Sequence, residues 1–146
     1  MKHPRSSWDD YFLRIAAVVA GRSTCDRNHV GAVIVRDNII LSTGYNGSIR
    51  KMPHCAETGH EMLEGHCTST VHAEANAILQ AAYTGVSIKD GALYTTSSPC
   101  WHCFKLIANV GIKRVVYGKV YGNDLKRVQG TAKKIGISIK RHLSDR

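Results

Sequence analysis

The chain has 146 residues, 43% hydrophobic and 21% charged with three prolines, enough apolar material to bury one core and too much for a disordered segment. A single domain over residues 1–146 is therefore expected; no run approaches the roughly 18 apolar residues that cross a bilayer, and the start MKHPRSSWDD lacks the apolar stretch of a secretory signal. The net charge of +9 is uneven: residues 1–104 carry nine Lys/Arg against nine Asp/Glu, whereas residues 105–146 carry eleven against two, a field that attracts anionic partners.

The first expected element is a helix over Trp8–Ala20, capped by Ser6 or Ser7, with Asp9 and Asp10 in its first turn and Gly21 closing it. Trp8, Phe12, Ile15 and Val19 recur on one face. Two β-rich runs, Val30–Val35 and Ile39–Ser42, flank the polar break Arg36-Asp37-Asn38 and read as a hairpin. Residues 44–71 have little periodicity and hold most of the histidines and cysteines; a loop this long needs something to pin it. A helix over Ala73–Ala82 follows, then a strand over Ala92–Thr96 and a helix to about Asn109 with Pro99 in its first turn. A strand over Ile112–Tyr117, a helix over Asp124–Lys134 and a strand over Ile137–Lys140 end the chain. Strand, helix and strand in succession imply parallel pairing, so the class is α/β, with the first two strands antiparallel.

Chemistry gathers at two helix starts, His72-Ala73-Glu74 and Pro99-Cys100-Trp101-His102-Cys103. Residues three apart share a helix face, so Cys100 and Cys103 can hold one ion, and a helix N-terminus favours thiolate. With neutral His72 they make three protein ligands, the set of a catalytic zinc that keeps its fourth position for water. Glu74, two residues on, suits a proton carrier beside that water better than a ligand. A thioredoxin-like pair leaves His72 and Glu74 unexplained, a zinc ribbon wants a second Cys-x-x-Cys, and a c-type haem wants histidine where Phe104 stands. Five cysteines, an odd number, also fit metal ligation better than a closed disulfide framework.

His72-Ala73-Glu74 followed by Pro99-Cys100-x-x-Cys103 is the zinc-dependent cytidine deaminase signature. From Trp8 to about Tyr121 the chain most resembles the deoxycytidylate (dCMP) deaminases of that superfamily, through Arg22-Ser23-Thr24-Cys25, Val30–Val35, Gly44-Tyr45-Asn46-Gly47-Ser48, His54-Cys55, His66-Cys67, Thr70–Ile78 and Ser98-Pro99-Cys100. The resemblance implies a mixed five-stranded sheet with helices on both faces. It implies hydrolysis of dCMP to dUMP and ammonia, supplying dUMP for thymidylate synthesis. Zinc on His72, Cys100 and Cys103 would acidify a water to a pKa of about 7, with Glu74 shuttling its proton to N3 of cytosine and to the departing amine. Asn46 is expected at the sugar, the backbone near Ser98 at the exocyclic amine, and Tyr121 against the nucleotide. Homohexamers, activation by dCTP, inhibition by dTTP, and a cytoplasmic location in a cell, or in a host cell if virally encoded, are implied too.

The Cys/His loop offers a second, structural zinc. Cys25, Cys55, His60 and Cys67 can close a tetrahedron, with His54 or His66 as substitutes for one of them; relatives often carry cysteine at His60. Many relatives have arginine where this chain has Ser69, which leaves Arg22, Arg27, Arg50 and Lys51 as alternative anion binders. Two competing activities are deamination of dCTP and deamination of a base in RNA or single-stranded DNA, as in tRNA adenosine deaminase. For the latter, Lys126, Arg127, Lys133 and Lys134 make a basic helical stripe, though aromatic residues for base stacking are scant there. An inactive zinc module used for assembly would have no need of Glu74.

Overall fold

The structure, a computed structural model, describes residues 4–64 and 66–144; the side chain of His66 also lies outside the described part. Helix α1 spans Trp8–Ala20, and Ser7 is the capping residue, its hydroxyl accepting from the Asp10 N–H at 3.1 Å. The buried face runs through Phe12, Ala16 and Ala20, so it is turned from the expected stripe: Ile15 and Val19 pack at its margin, while Trp8 is 49% exposed and stacks on Phe12. Strands β1 (Gly31–Arg36) and β2 (Ile39–Tyr45) form the hairpin, turning through Asp37 and Asn38, both at positive φ as a tight two-residue turn requires. β2 runs three residues beyond its expected end.

Residues 46–71 are not a bare loop. They contain a one-turn helix α2 (Cys55–Thr58) and short two-residue ladders, 47–48 with 70–71 and 62–63 with 66–67. Helix α3 (Ala73–Thr84), strand β3 (Ala92–Ser97), helix α4 (Trp101–Asn109), strand β4 (Arg114–Lys119), helix α5 (Leu125–Ile135) and strand β5 (Ser138–Arg141) follow. Pro99 lies before α4 rather than in its first turn, because Cys100 is the capping residue. β4 starts two residues later than its apolar run suggested: Ile112 is used as a core plug before the strand begins.

The five strands form one sheet in the order β2-β1-β3-β4-β5, with β1 antiparallel to both neighbours and β3, β4 and β5 parallel. The strand–helix–strand passage from β2 to β3 thus does not give adjacent strands; β1 lies between them. Alternation along the strands divides the core. Val33, Val35, Tyr94 and Val116 face α1, while Ala32, Ile34, Leu93 and Val115 face Ala73, Ala77 and Ala81 of α3 and Ile107 of α4. Phe104 of α4 packs with Val128 and Ala132 of α5. Helices therefore cover both faces.

Two glycines set how closely helix and sheet approach. A Cβ on Gly31 would lie 2.0 Å from the Ala16 carbonyl oxygen, and one on Gly44 would lie 2.3 Å from the Ala77 nitrogen. The second contact draws the first turns of α3 onto β2 and fixes where the chemistry of residues 72–74 sits. No helix among the described residues is long and apolar enough to cross a membrane.

Candidate metal centre and active site

α3 and α4 share a core cluster and present their N-termini to one point. His72 and Cys100 are the capping residues, each with extended backbone (φ −67°, ψ 154° and φ −73°, ψ 169°), and the Cys100 sulfur turns back over its helix end to accept from the Cys103 N–H. His72 Nδ1 lies 3.4 Å from Cys100 Sγ and 3.5 Å from Cys103 Sγ. Zinc bonds of about 2.05 Å to nitrogen and 2.3 Å to sulfur at a tetrahedral angle separate the two donors by about 3.6 Å, so the three donors fit one ion.

The thiols carry an electrostatic conflict that favours a cation. The hydrogen bond from Cys103 and the His72 imidazole draw Cys100 well below the ordinary thiol value, and the Cys103 N–H adds to this at 3.5 Å. Cys103 is pushed far up by its hydrogen bond to Cys100 and by burial. Two sulfurs this close share one negative charge until a metal ion lets both ionise.

Glu74 is 4% exposed, in the first turn of α3. Burial pushes its carboxyl above the usual range, the direction a proton carrier at neutral pH requires. Thr95, fully buried on β3, places its hydroxyl 3.1 Å from Glu74 Oε1 and 2.9 Å from the Ser97 carbonyl oxygen. Sequence reading missed Thr95; its only local signal is a hydroxyl inside an otherwise apolar strand.

His72, Glu74 and Cys100 line a cavity of about 360 Å³, within the size range of small-molecule sites. Asn46, Ser98 and Tyr121 line it as well, but each is already engaged. Asn46 Oδ1 accepts from the Val30 N–H at 2.8 Å and Nδ2 donates to the Asn28 carbonyl at 2.7 Å, so its amide braces the loop between α1 and β1. The Ser98 hydroxyl accepts from the Tyr121 N–H at 2.8 Å. Burial raises the Tyr121 phenol. Of the four candidate anion binders only Arg27 lines the cavity, joined by Lys119, which sequence reading did not single out; both are exposed at its rim, and neither is in an ion pair among the described residues. Arg50 instead donates to Gln80 and lies over the Tyr83 ring.

The second cluster is built from loops. The donor atoms of Cys25, Cys55 and His60 lie within 4.8 Å of one another together with Asp26, which sequence reading did not include. Cys67 is beside this group, its thiol against the His60 ring and 3.0 Å from Ser69 Oγ. Burial raises the Cys67 thiol, but the bond to Ser69 and the adjacent His60 imidazole overcome it and bring it down to about 6. Burial and the neighbouring Cys25 push Cys55 up to about 11. His54, the capping residue of α2, falls outside the group, and the His66 side chain lies outside the described residues.

Residues 6–119 match the cytidine and deoxycytidylate deaminase zinc-binding region, and the chain belongs to that family. Within it the chain is dCMP deaminase-like. It is 41% identical over 128 residues to the deoxycytidylate deaminase of Mycobacterium phage D29, a match covering 79% of this chain and 97% of the phage protein. It is 47% identical over 117 residues to ComE operon protein 2 of Bacillus subtilis (strain 168), covering 80% of this chain. The chain spans 62% of the Bacillus protein's length. In three dimensions it resembles the dCMP deaminase of cyanophage S-TIM5 in complex with dCMP and dUMP, with a TM-score of 0.80 at 28% identity over 96% of this chain and all of that one. The five-stranded mixed sheet is the cytidine deaminase-like fold.

Proposed function

We propose that this protein hydrolyses dCMP to dUMP and ammonia. The observation that carries the reading is one cavity in which a buried carboxyl, Glu74, adjoins the His72/Cys100 pair while two cations, Arg27 and Lys119, stand at the rim. His72, Cys100 and Cys103 would hold the zinc ion, which when bound would acidify a water toward neutrality. Glu74 takes a proton from that water and gives it to N3 of cytosine as the oxygen adds at C4. It then carries the second proton to the amino nitrogen, the C4–N bond breaks, and ammonia leaves a uracil ring. Thr95 holds one oxygen of Glu74 so that the other meets the base. Arg27 and Lys119 receive the phosphate, and Asn46, Ser98 and Tyr121 shape the wall around sugar and base.

A second, structural zinc on Cys25, Cys55, His60 and Cys67 belongs to the same reading. It would tie together three segments, two of which, through Cys25, Arg27, Asn28 and Cys67, form part of the cavity wall. Assembly into a homohexamer is supported by exposed apolar side chains on α3 and α4, Leu79, Tyr83 and Leu106. Control by dCTP and dTTP would then act on that assembly.

The test is to incubate zinc-loaded protein with dCMP, dCTP, cytidine and a cytosine-containing oligonucleotide and follow the ultraviolet change from cytosine to uracil. dCMP is expected to turn over fastest. Preference for the oligonucleotide would establish the nucleic-acid reading instead, and preference for dCTP would reassign the phosphate contacts.

A further inference from the structure

His60 is held at one ring nitrogen and bare at the other. Its Nε2 lies 2.7 Å from Asp26 Oδ1, while Nδ1 is buried and has no hydrogen-bond partner among the described residues. The Cys67 thiol lies against the same ring, and the Cys25 and Cys55 sulfurs are within 4.8 Å of the His60 donor. Two thiols, the imidazole and the Asp26 carboxylate thus have their donor atoms within 4.8 Å of one another, and the third thiol, Cys67, lies against the imidazole.

Asp26 has two conceivable roles, direct ligand or support. Distance decides between them. A nitrogen and an oxygen bound to the same tetrahedral zinc, each about 2.05 Å from it, are about 3.3 Å apart. The observed 2.7 Å is too short for two such ligands and matches a hydrogen bond to a carboxylate. A carboxylate accepting the far ring N–H fixes the tautomer that leaves the other nitrogen's lone pair free for metal. Asp26 is also adjacent in sequence to both Cys25 and Arg27, so the same residue that orients the imidazole sits between a thiol of the cluster and the cation at the cavity rim.

We infer that Asp26 is not a ligand but the positioning residue of a Cys25/Cys55/His60/Cys67 zinc site, holding His60 through Nε2 so that Nδ1 faces the three thiols. This rests on the structural-zinc reading above.

The test measures zinc per chain and its loss to a competing chelator, for wild type, Asp26→Asn, His60→Ala, His60→Cys and the double variant Asp26→Asn/His60→Cys. Wild type is expected to hold two zinc ions. Asp26→Asn should keep two but surrender one about 10- to 100-fold more readily. His60→Ala should hold one. A cysteine at position 60 needs no carboxylate behind it, so His60→Cys and the double variant should release zinc equally. Cobalt-substituted Asp26→Asn should retain the three-thiolate absorption of wild type, which reports ligand identity apart from activity. Asp26→Asn indistinguishable from wild type overturns the inference, as does Asp26→Asn that loses one zinc as completely as His60→Ala, since that outcome makes Asp26 a ligand. Wild type that binds a single zinc and still deaminates overturns the second site and Asp26's role together while leaving the proposed reaction standing.

Discussion

The two clusters solve the problem of gathering metal donors in opposite ways. His72, Cys100 and Cys103 stand on the first turns of two helices whose other ends are packed into the core beside Leu93 and Val115, so their spacing is set by the sheet. Cys25, Cys55, His60 and Cys67 come from stretches with a single helical turn and two-residue ladders, where little apolar burial fixes anything. The first group is geometry made by folding and available to a metal. The second, on the structural-zinc proposal, would gain its order from the ion that joins the donors. That contrast suits their proposed work: reacting groups need positions good to a fraction of an ångström, whereas a clasp needs only to close.

The largest expected effect is at the sheet-mounted site. Glu74→Gln should lower kcat about 10³-fold or more while both zinc ions stay bound, because the amide keeps the shape of the carboxyl and cannot carry the proton. Steady-state rates beside metal analysis check it, and retained turnover would remove the proton-carrying role.

At the loop-built cluster, Cys25→Ser should release one zinc and spare the other. The stability lost should be about 3 kcal/mol when free zinc exceeds its dissociation constant a hundredfold, read from urea midpoints with and without added zinc. A midpoint that ignores zinc would erase the distinction between the two regions.

Asp9 tests the frame itself. It accepts from Arg114 at 2.8 and 2.9 Å and from the Tyr94 hydroxyl at 2.8 Å, with Lys140 Nζ also at 2.8 Å, joining α1 to β3, β4 and β5. Arg114 foremost, then Lys140 and Tyr94, hold its carboxyl well below the usual range. A depressed folded-state pKa gives stability that is complete above the ordinary carboxylate value and disappears as pH falls through the folded one. Asp9→Asn should therefore cost about 2 kcal/mol at neutral pH. The gap from wild type should narrow as pH drops from about 6 to about 2, while the zinc content at neutral pH is unchanged. A gap that widens on acidification would contradict the assignment.

The smallest effect sharpens the border between the regions. Arg27→Ala should raise KM for dCMP about 10-fold, near 1.4 kcal/mol, with kcat little altered and no comparable loss on deoxycytidine, which carries no phosphate. Equal losses on both substrates would mean that Arg27 shapes the wall rather than meeting the phosphate.

Legibility in the sequence follows the same border. The limits of α1 could be read from Ser6 or Ser7, the two acids and Gly21, because caps and dipole act within one turn, and the structure chose Ser7. The Cys100/Cys103 pair could be read from helical spacing. Thr95, Lys119 and Asp26 could not: Thr95 and Asp26 matter through partners distant in the chain, Glu74 being 21 residues from Thr95 and His60 34 from Asp26, and Lys119 through the cavity that distant segments enclose. The late start of β4 was hidden for a similar reason, as Ile112 is apolar for the core beneath α3 and not for a strand.

The sequence by itself determined which donors exist, which helix ends carry them and where the hairpin turns, since these depend on neighbours within a few positions. Tertiary structure alone decided that β1 would separate β2 from β3, that Arg27 and Lys119 rather than Arg50 would stand at the cavity, and that Asp26 would back His60. Those outcomes depend on which distant surfaces pack together, and side-chain spacing along one segment carries no record of that.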